Sequence, residues 1–221
     1  MPKGKLIVID GTDGSGKATQ TKLLVDRLNR ENHPTAMISF PQYGTKSAGP
    51  LEEYLAGKYG SANEVGPYRA SILYAVDRYD ASARIGNDLG NGKIVVADRY
   101  VLSNMGHQGG KIASEQERRK FYAWEDELEH ELFHIPRPDL NIILHVPAEI
   151  GQKLIQARDI KQDLHQQDLE HLKQAEKTYL ELAKIFSNVT LIECVENDKL
   201  LPIDLIHEKI WKIVQPHIFP S

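Results

Sequence analysis

The sequence predicts an α/β fold, an open parallel sheet of five strands with helices on both faces. Five short apolar runs alternate with stretches long enough for helices. Most runs are continuously apolar, as expected of strands that are covered on both faces of a parallel sheet. Ligands of such sheets bind at the carboxyl ends of the strands. The predicted strands are Leu6 to Asp10, Ala36 to Phe40, Ile94 to Asp98, Leu140 to Val146 and Val189 to Glu193.

One helix is predicted late in the chain, where apolar residues from Leu169 to Phe186 recur on one helical face and charged residues lie largely outside it. The 221 residues, 41% of them hydrophobic, suffice for one substantial core. No repeat, low-complexity tract or linker divides them. We therefore expect a single domain over residues 1–221.

The charge balance and the lone cysteine narrow the class of protein. Lys and Arg number 27 against 31 Asp and Glu, a formal charge of -4, so nucleic-acid and membrane-surface partners are not expected. Cys194 has no partner for an internal disulfide and is expected to be a small core residue. The first apolar run is too short for a signal peptide, and no stretch approaches the roughly 20 apolar residues of a spanning helix. These features predict a cytoplasmic protein.

A glycine-rich turn follows the first predicted strand and fits the P-loop pattern G-x-x-x-x-G-K. Backbone N–H groups that no Cβ obstructs can surround phosphate oxygens at a helix N-terminus. Lys17 adds a mobile cation for the β- and γ-phosphates of ATP. The sequence therefore predicts a P-loop NTPase-type sheet. Its ATP-binding residues, called here the phosphate cradle, are Gly11, Thr12, Asp13, Gly14, Ser15, Gly16, Lys17, Ala18 and Thr19.

The cradle departs from the usual pattern at the residue after the lysine. A Ser or Thr hydroxyl that ligates Mg²⁺ is normal there, and this chain has Ala18, with hydroxyls nearby on Ser15 and Thr19. The third strand ends in Asp98 and Arg99. Asp98 is the candidate ligand for Mg²⁺, directly or through water, and the guanidinium of Arg99 can bridge two phosphates.

A phosphate cradle does not by itself distinguish kinases from GTPases or transport ATPases. The chain has no N-K-x-D segment for reading guanine and no transport signature. Further segments narrow the choice: residues 40–44 (Phe-Pro-Gln-Tyr-Gly), 74–78, 98–100 (Asp-Arg-Tyr), Ser103 with Asn104, and a segment around Arg158 to Asp168. Taken with the cradle, these segments resemble those of the thymidylate kinase family over nearly the whole chain.

The resemblance implies a parallel five-stranded sheet, a homodimer, and transfer of a phosphoryl group from ATP to dTMP with Mg²⁺. It also implies roles for single residues. Asp13 is expected to bind the sugar 3′-hydroxyl, Tyr43 and Arg99 to place the acceptor phosphate, and Tyr74 to stack on thymine.

Physical reasoning supports the base contacts independently. Arg78 lies four residues after Tyr74, hence on the same helix face, and its donors suit a carbonyl such as thymine O4. Asn104 can donate and accept at once, as the imide edge of thymine requires. Two alternatives stay open: Tyr74 as a packed core aromatic, and Arg78 as a surface partner of Asp77.

His107 occupies a position where relatives usually carry an aromatic residue near the sugar 2′-position, and Gln108 follows it. The imidazole could fill that space, which leaves open how the chain distinguishes deoxyribose from ribose. The predicted substrate-binding residues are Asp13, Phe40, Tyr43, Tyr74, Arg78, Arg99, Asn104, His107 and Gln108.

A lid is predicted around residues 151–168, between two helices. Arg158 is its only arginine, and a guanidinium contacts two phosphoryl oxygens in fixed geometry, so Arg158 is favoured over Lys161 as the lid cation. The predicted catalytic residues are Asp13, Lys17, Arg99 and Arg158.

Two other functions remain possible from the sequence. A deoxynucleoside kinase would use a carboxylate as a base for its hydroxyl acceptor, and Asp13 is available. A nucleotide-binding regulatory protein without catalysis is favoured by Ala18.

Overall fold

The computed structural model describes residues 3–157 and 169–218. Five parallel strands form one sheet in the order β2-β3-β1-β4-β5. The predicted parallel five-stranded sheet is confirmed, and the predicted strand ends agree to within one residue. The strands are β1 (Lys5–Gly11), β2 (Thr35–Ser39), β3 (Ile94–Asp98), β4 (Leu140–His145) and β5 (Val189–Glu193).

Helices connect the strands, and the helix predicted from Leu169 is confirmed as α7. Across the two described ranges, no helix combines the length and apolar character needed to cross a membrane. Helix α5 continues directly into a π-helical segment, Glu127–Leu132. The helices are α1 (Lys17–Arg30), α2 (Gly49–Leu55), α3 (Ala62–Gly90), α4 (Val101–Gly109), α5 (Glu115–Asp126), α6 (Ala148–Gln156), α7 (Leu169–Ile185) and α8 (Ile203–Ile218).

The central strand β1 shows why its sequence is apolar without alternation. Leu6 and Val8 point into a core shared with α3, α4, α5 and α7. Ile7 and Ile9 point into a second core, shared with α1 and α8, which also contains the fully buried Cys194. Since successive side chains of a strand face opposite sides, a sheet covered on both faces needs apolar residues at every position. The prediction for Cys194 is confirmed.

Helix α3 begins with a capping box. The backbone N–H of Glu64 donates to Ser61 Oγ at 3.3 Å, and the Ser61 N–H donates to the Glu64 carboxylate at 2.8 Å. Gly66 then adopts a φ of 75° before Pro67, and the helix kinks there. Beyond the kink, α3 carries Tyr74 and Arg78 along the carboxyl edge of the sheet.

A small antiparallel hairpin, β6 (Val195–Glu196) with β7 (Lys199–Leu200), was not predicted. Its two turn residues, Asn197 and Asp198, have φ of 49° and 58°, which suits the right-handed twist of a tight hairpin. The Asn-Asp pair was the available signal, but strands of two residues carry no hydrophobic period.

Candidate functional site

The phosphate cradle links the end of β1 to the start of α1. Gly16 is the N-cap of α1 and has a φ of 86°. At Gly14, φ is 83°, and an added Cβ would meet the carbonyl oxygen of Gly151 at 2.6 Å. A side chain at Gly14 would therefore be both strained and obstructed, because α6 packs directly against the loop. The glycine pattern is explained by this close approach.

Lys17 lies folded within the cradle. Its Nζ donates to the carbonyl oxygens of Gly11 at 3.0 Å and Thr12 at 2.8 Å. The Asp13 carboxylate is 3.8 Å away. Burial, together with the charge of Arg99, lowers the pKa of Lys17 to about 8, against the opposing pull of Asp13. The Lys17 ammonium group is therefore bound to the loop and buried from bulk water.

Asp13 and Arg99 form an ion pair that joins the cradle to β3. Arg99 Nη2 donates to Asp13 Oδ1, and Nη1 donates to Ser103 Oγ at 3.3 Å. Burial alone would raise the pKa of Asp13, but Arg99 and Lys17 hold it well below its usual range. Asp13 is therefore a firmly ionised carboxylate that orients the guanidinium.

Asp10 anchors the floor beneath this pair. It accepts hydrogen bonds from the Ser103 hydroxyl at 2.8 Å and from the Tyr179 hydroxyl at 2.7 Å, and it is fully buried. These bonds tie β1 to α4 and α7. Sequence reasoning missed Asp10 and Tyr179, since an acid at a strand end and a tyrosine on a helix carry no distinguishing pattern.

A cavity that is partly open to solvent lies beside the cradle. All nine predicted substrate-binding residues line it, and so do Pro41, Asp77 and Ser103. The nine are Asp13, Phe40, Tyr43, Tyr74, Arg78, Arg99, Asn104, His107 and Gln108.

Asp77 holds the loop after β2 against this cavity. It accepts from the backbone N–H of Gln42 at 2.8 Å and from the Ser47 hydroxyl at 2.9 Å. The alternative that paired Arg78 with Asp77 at the surface is wrong. Both residues are buried, and Arg78 instead donates to Glu129, with an Nε to Oε2 distance of 2.6 Å. A buried guanidinium needs an acid partner, and Asp77 already binds Gln42 and Ser47.

His107 lies between the cavity and α7. Arg99 Nη1 is 3.3 Å from His107 Nε2, and His107 Nδ1 is 3.4 Å from His171 Nε2. A guanidinium can only donate, so Nε2 accepts and Nδ1 carries the proton of a neutral ring. Burial lowers the pKa of His107 well below its usual value, against the opposing charge of Asp13, which agrees with a neutral imidazole.

Two tyrosines sit at the mouth of the cavity. Tyr43 is 61% exposed, on the loop after β2. Tyr74 is half-buried and packs against the small core formed by Leu51 and Tyr54. Tyr74 is therefore a cavity wall as well as a partial core residue, so neither of its two sequence interpretations excludes the other.

A magnesium ion fits the acids at this site only together with a nucleotide. Asp98 Oδ1 is buried and finds no hydrogen-bond partner in the part of the chain that the structure describes. Ser15 Oγ is in the same situation. No group of three His, Cys, Asp or Glu side chains able to hold a metal occurs among residues 3–157 and 169–218. Such a sparse set suits Mg²⁺, which uses one or two carboxylates with phosphate and water oxygens.

Arg158, Lys161 and most of the predicted lid lie outside the described residues. The described portion of that segment, from Gly151 to Ala157, is the end of α6 and its C-cap. The first residues after the gap begin α7, whose His171 contacts His107. No sequence signal pointed to the contact of His171 with the site.

A P-loop joined by one buried ion pair to a cavity for a second ligand defines a class of protein, the P-loop kinases of small metabolites. The chain belongs to the thymidylate kinase family: the family model for thymidylate kinase matches residues 9–210. The predicted resemblance is confirmed.

Relatives from all three domains of life match the chain. Thymidylate kinase of Mycobacterium tuberculosis is 30% identical over 185 residues, which cover 80% of this chain and 85% of the relative. A probable thymidylate kinase of Thermococcus gammatolerans is 28% identical over 97% of this chain and 98% of its own. Thymidylate kinase of Schizosaccharomyces pombe is 26% identical over 92% of both.

A solved structure supports the fold. Thymidylate kinase from Candida albicans superposes with a TM-score of 0.76 at 21% identity, covering 97% of this chain and 92% of that one. The likeness shows a shared α/β architecture. The predictions of a cytoplasmic location and of no nucleic-acid or membrane partner stay predictions.

Proposed function

We propose that this protein transfers the γ-phosphoryl group of ATP to dTMP, giving dTDP and ADP. One observation carries the proposal: Asp13 belongs to the phosphate cradle, lines the neighbouring cavity and accepts a hydrogen bond from Arg99, which lines the same cavity. Two phosphate sites that share an ion pair lie close enough for direct transfer. This arrangement suits a kinase whose donor and acceptor are both phosphates.

Lys17 and the cradle bind the donor. The lysine can exchange its two loop carbonyls for the β- and γ-phosphates of ATP, which offer stronger acceptors. Its charge stabilises the transferring group more than it stabilises free ATP, since charge builds up between donor and acceptor during transfer. Gly11 to Thr19 supply the backbone donors, as expected of a P-loop.

Asp98 would hold the Mg²⁺ of the nucleotide, directly or through water. The ion, when bound, neutralises charge on the β- and γ-phosphates. Burial raises the pKa of Asp98, whereas Lys17 and Arg99 lower it, so a cation near Asp98 favours its ionised form. Because Ala18 offers no hydroxyl, Ser15 is the better-placed of the two alternatives: its Oγ is buried in the cradle, whereas Thr19 is exposed.

Arg99 and Tyr43 would place the acceptor phosphate, and Asp13 would bind the sugar 3′-hydroxyl. Arg99 is held by Asp13, Ser103 and His107, so its orientation is set before an acceptor binds. The acceptor oxygen of dTMP is already anionic and needs no base. A deoxynucleoside kinase would need one, and the depressed pKa of Asp13 makes it a poor base.

Tyr74, Arg78 and Asn104 would read the base. The aromatic face of Tyr74 suits stacking, and Phe40 also lines the cavity. Arg78 uses Nε and Nη2 on Glu129, which leaves Nη1 for a base carbonyl such as O4. Asn104 Oδ1 is buried with no partner in the described ranges and suits the N3–H of thymine.

His107 and Gln108 would form the sugar end of the cavity. Both ring nitrogens of His107 are engaged, by Arg99 and by His171. The ring therefore has no free donor or acceptor for a 2′-hydroxyl, which favours deoxyribose. Gln108 is held in place through its Oε1, which accepts from Lys111 at 2.7 Å.

Arg158 remains our proposal for the lid cation that meets the transferring group, with Lys161 as a helper. A guanidinium clamps two phosphoryl oxygens, whereas an ammonium acts as a point charge. The predicted lid follows α6 in the sequence, and α6 contacts the cradle at Gly14.

We also propose that the protein is a homodimer formed through α3. Four large apolar residues on this helix, at spacings of four, four and three, are between 40% and 55% exposed. A contiguous exposed apolar stripe is the mark of an interaction surface. The stripe consists of Tyr68, Ile72, Val76 and Tyr79.

A coupled assay of ADP release tests the activity. Wild-type protein with ATP and Mg²⁺ is offered dTMP, dUMP, dCMP or thymidine, and we expect dTMP to give the highest kcat/KM. Lys17→Met should reduce turnover at least about a hundredfold, because the lysine acts on transition-state charge. Lys22→Met is the matched control, an exposed lysine on the same helix, and should be unchanged.

The outcomes separate the rival functions. Turnover of thymidine without turnover of dTMP would identify a deoxynucleoside kinase. ATP binding without turnover of any acceptor would identify a non-catalytic binding protein. Full activity of Lys17→Met would remove the cradle from the mechanism.

A further inference from the structure

Two completely buried glutamates, Glu125 and Glu129, stand behind the cavity. They lie four residues apart, on the inner face of α5 and its π-helical continuation. Each contacts a residue that lines the cavity: Glu129 accepts from Arg78, and Glu125 accepts from Asn104. The pair is therefore one layer removed from any ligand in the cavity.

The hydrogen bonds of Glu125, Glu129 and Asn104 determine which of their atoms remain unpaired. Both Glu129 oxygens accept from the Arg78 guanidinium. Asn104 Nδ2 donates to Glu125 Oε1 and to the backbone carbonyl of Ser71, the latter at 3.2 Å. Both amide hydrogens of Asn104 are thus used on the side away from the cavity. Glu125 Oε2 and Asn104 Oδ1 remain buried without a partner among the residues described.

If Glu125 and Glu129 were both ionised, two buried negative charges would face one positive charge. Arg78 is the only cation whose ion pair with either glutamate is found in the described structure. Burial, and then the neighbouring charge of Glu129, raises the pKa of Glu125 well above its usual value, and Arg78 only partly opposes this. Tyr100, from the turn before α4, also faces Arg78 and Glu129, and its own pKa is raised, so it is a neutral phenol.

Glu125 and Glu129 therefore share one proton, and the hydrogen bonds around them indicate which oxygen atom carries it. Both Glu129 oxygens and Glu125 Oε1 already accept hydrogen bonds, which leaves Glu125 Oε2. A carboxylic acid with its proton on Oε2 can donate to Glu129. This donation removes the unsatisfied oxygen and the like-charge repulsion at once.

We propose that Glu125 is a positioning residue. As a neutral acid it binds the Asn104 amide group, so that the unpaired Asn104 carbonyl oxygen serves as the acceptor for the base in the cavity that Arg78 also lines. The inference rests on the proposed function. An acceptor at Asn104 Oδ1 next to a donor at Arg78 matches the N3–H and O4 of a 4-oxo pyrimidine. Cytosine instead has an acceptor at N3 and a donor at its 4-amino group. Its N3 would meet the Asn104 oxygen, which is also an acceptor, and its amino group would meet the Arg78 guanidinium, which is also a donor.

The test compares two replacements of similar size. In Glu125→Gln, the amide oxygen can accept from Asn104 while the NH₂ group donates to Glu129, as the neutral acid does. In Glu125→Leu neither bond forms. We expect Glu125→Gln to keep the dTMP-to-dCMP ratio of kcat/KM within about threefold of wild type, and Glu125→Leu to lower it by about tenfold or more, the effect of losing a hydrogen bond to a buried base edge. Glu127→Leu, an exposed glutamate of the same helix, is the control and should keep the ratio.

A merely structural role would lower kcat/KM for both nucleotides and leave their ratio unchanged, and this result would overturn the proposal. Equal loss of the ratio in the Gln and Leu variants would also overturn it, because the neutral amide would then not replace the acid. Thermal unfolding of each variant reports whether the fold is kept.

Infrared spectroscopy supplies a test that does not depend on activity or on the Leu variant folding. Wild-type protein at neutral pH should show the C=O stretch of a buried protonated carboxylic acid, and Glu125→Gln should lack that band. No such band in the wild type would refute the neutral Glu125. If the band is present but dTMP is not a substrate, the proposed function fails and the protonated acid stands.

Discussion

At the scale of single residues, Arg99 shows how the site is organised before any ligand binds. Its φ of 66° is a conformation that residues with side chains rarely adopt, and its N–H donates to the carbonyl of Ile9 in the neighbouring strand. Such strain persists where the surroundings determine the geometry. The turn directs the guanidinium to Asp13, Ser103 and His107. A cation fixed in this way loses little entropy when it meets a phosphate.

Lys17 leads to a prediction about pH. Its pKa of about 8 lies below the ordinary 10.5 because of burial and the charge of Arg99. The protonated form is the one that acts on phosphate, and it is lost as the pH rises through this value. We expect kcat/KM for ATP, measured at saturating dTMP, to be level below about pH 7.5 and to fall about tenfold per pH unit above pH 8.5.

Lys111 provides the control for this profile, because burial lowers its pKa to about 8 as well. It donates to Tyr54 and Gln108 rather than into the cradle. Lys111→Met should therefore keep the alkaline fall in kcat/KM for ATP. If the fall disappears in Lys111→Met, Lys111 is the titrating group and the assignment to Lys17 is wrong.

At the scale of the elements, α4 is the support on which the cavity depends. It carries Asn104, His107 and Gln108, and it packs against α7 where Gly106 faces the ring of Tyr179. Tyr179 is buried, and its hydroxyl donates to Asp10 beneath the cradle. The distance between α4 and α7 is therefore linked to Asp10, which lies beneath the cradle and the cavity.

Replacing Gly106 by alanine tests this packing. The new Cβ would lie 2.7 Å from the Tyr179 ring, so the ring or the helix must move and the bond to Asp10 is strained. We expect the free energy of unfolding to fall by about 1–3 kcal/mol in urea titrations. At Gly86, in the interior of α3, the added Cβ would meet no atom within 4 Å among the described residues outside its own turn of helix, and Gly86→Ala should stabilise by about 0.5–1 kcal/mol. A neutral Gly106→Ala would show that α4 and α7 can separate freely.

At the scale of the whole molecule, the features that could be predicted from the sequence are those with a recognisable residue pattern. Buried strands are recognisable as continuous apolar runs, and the P-loop is recognisable from its fixed spacing. All nine predicted substrate-binding residues line one cavity. Glu125 and Glu129 could not be predicted, because the run Glu-Asp-Glu-Leu-Glu-His-Glu is typical of a solvated helix. Nothing local distinguishes its two buried acids from their exposed neighbours. Only the approach of α3, bringing Arg78 to Glu129, and of α4, bringing Asn104 to Glu125, selects them.

The proposed dimer has consequences for the same helix. Ile72 and Val76 face outward from α3, while Ala75 and Arg78 are buried on its inner side. In the proposed dimer, one helix would present an apolar stripe to a second copy and Arg78, the proposed base-reading residue, to the cavity. Tyr79 extends the stripe by packing on Phe133, with ring centroids 5.2 Å apart. Burial of the stripe would remove large apolar residues from water and add rigidity to the helix behind it.

Light scattering coupled to size-exclusion chromatography tests the dimer. The chain has a mass of 25.0 kDa, and we expect the wild type to elute with twice that mass. Ile72→Glu places a charge at the centre of the stripe, where burial without a partner is strongly unfavourable, so this variant should elute as a monomer. Ile203→Glu, at a more exposed isoleucine at the start of α8, should remain dimeric. A wild-type monomer, or a dimer that Ile203→Glu disrupts and Ile72→Glu does not, would show that the α3 stripe is not the interface.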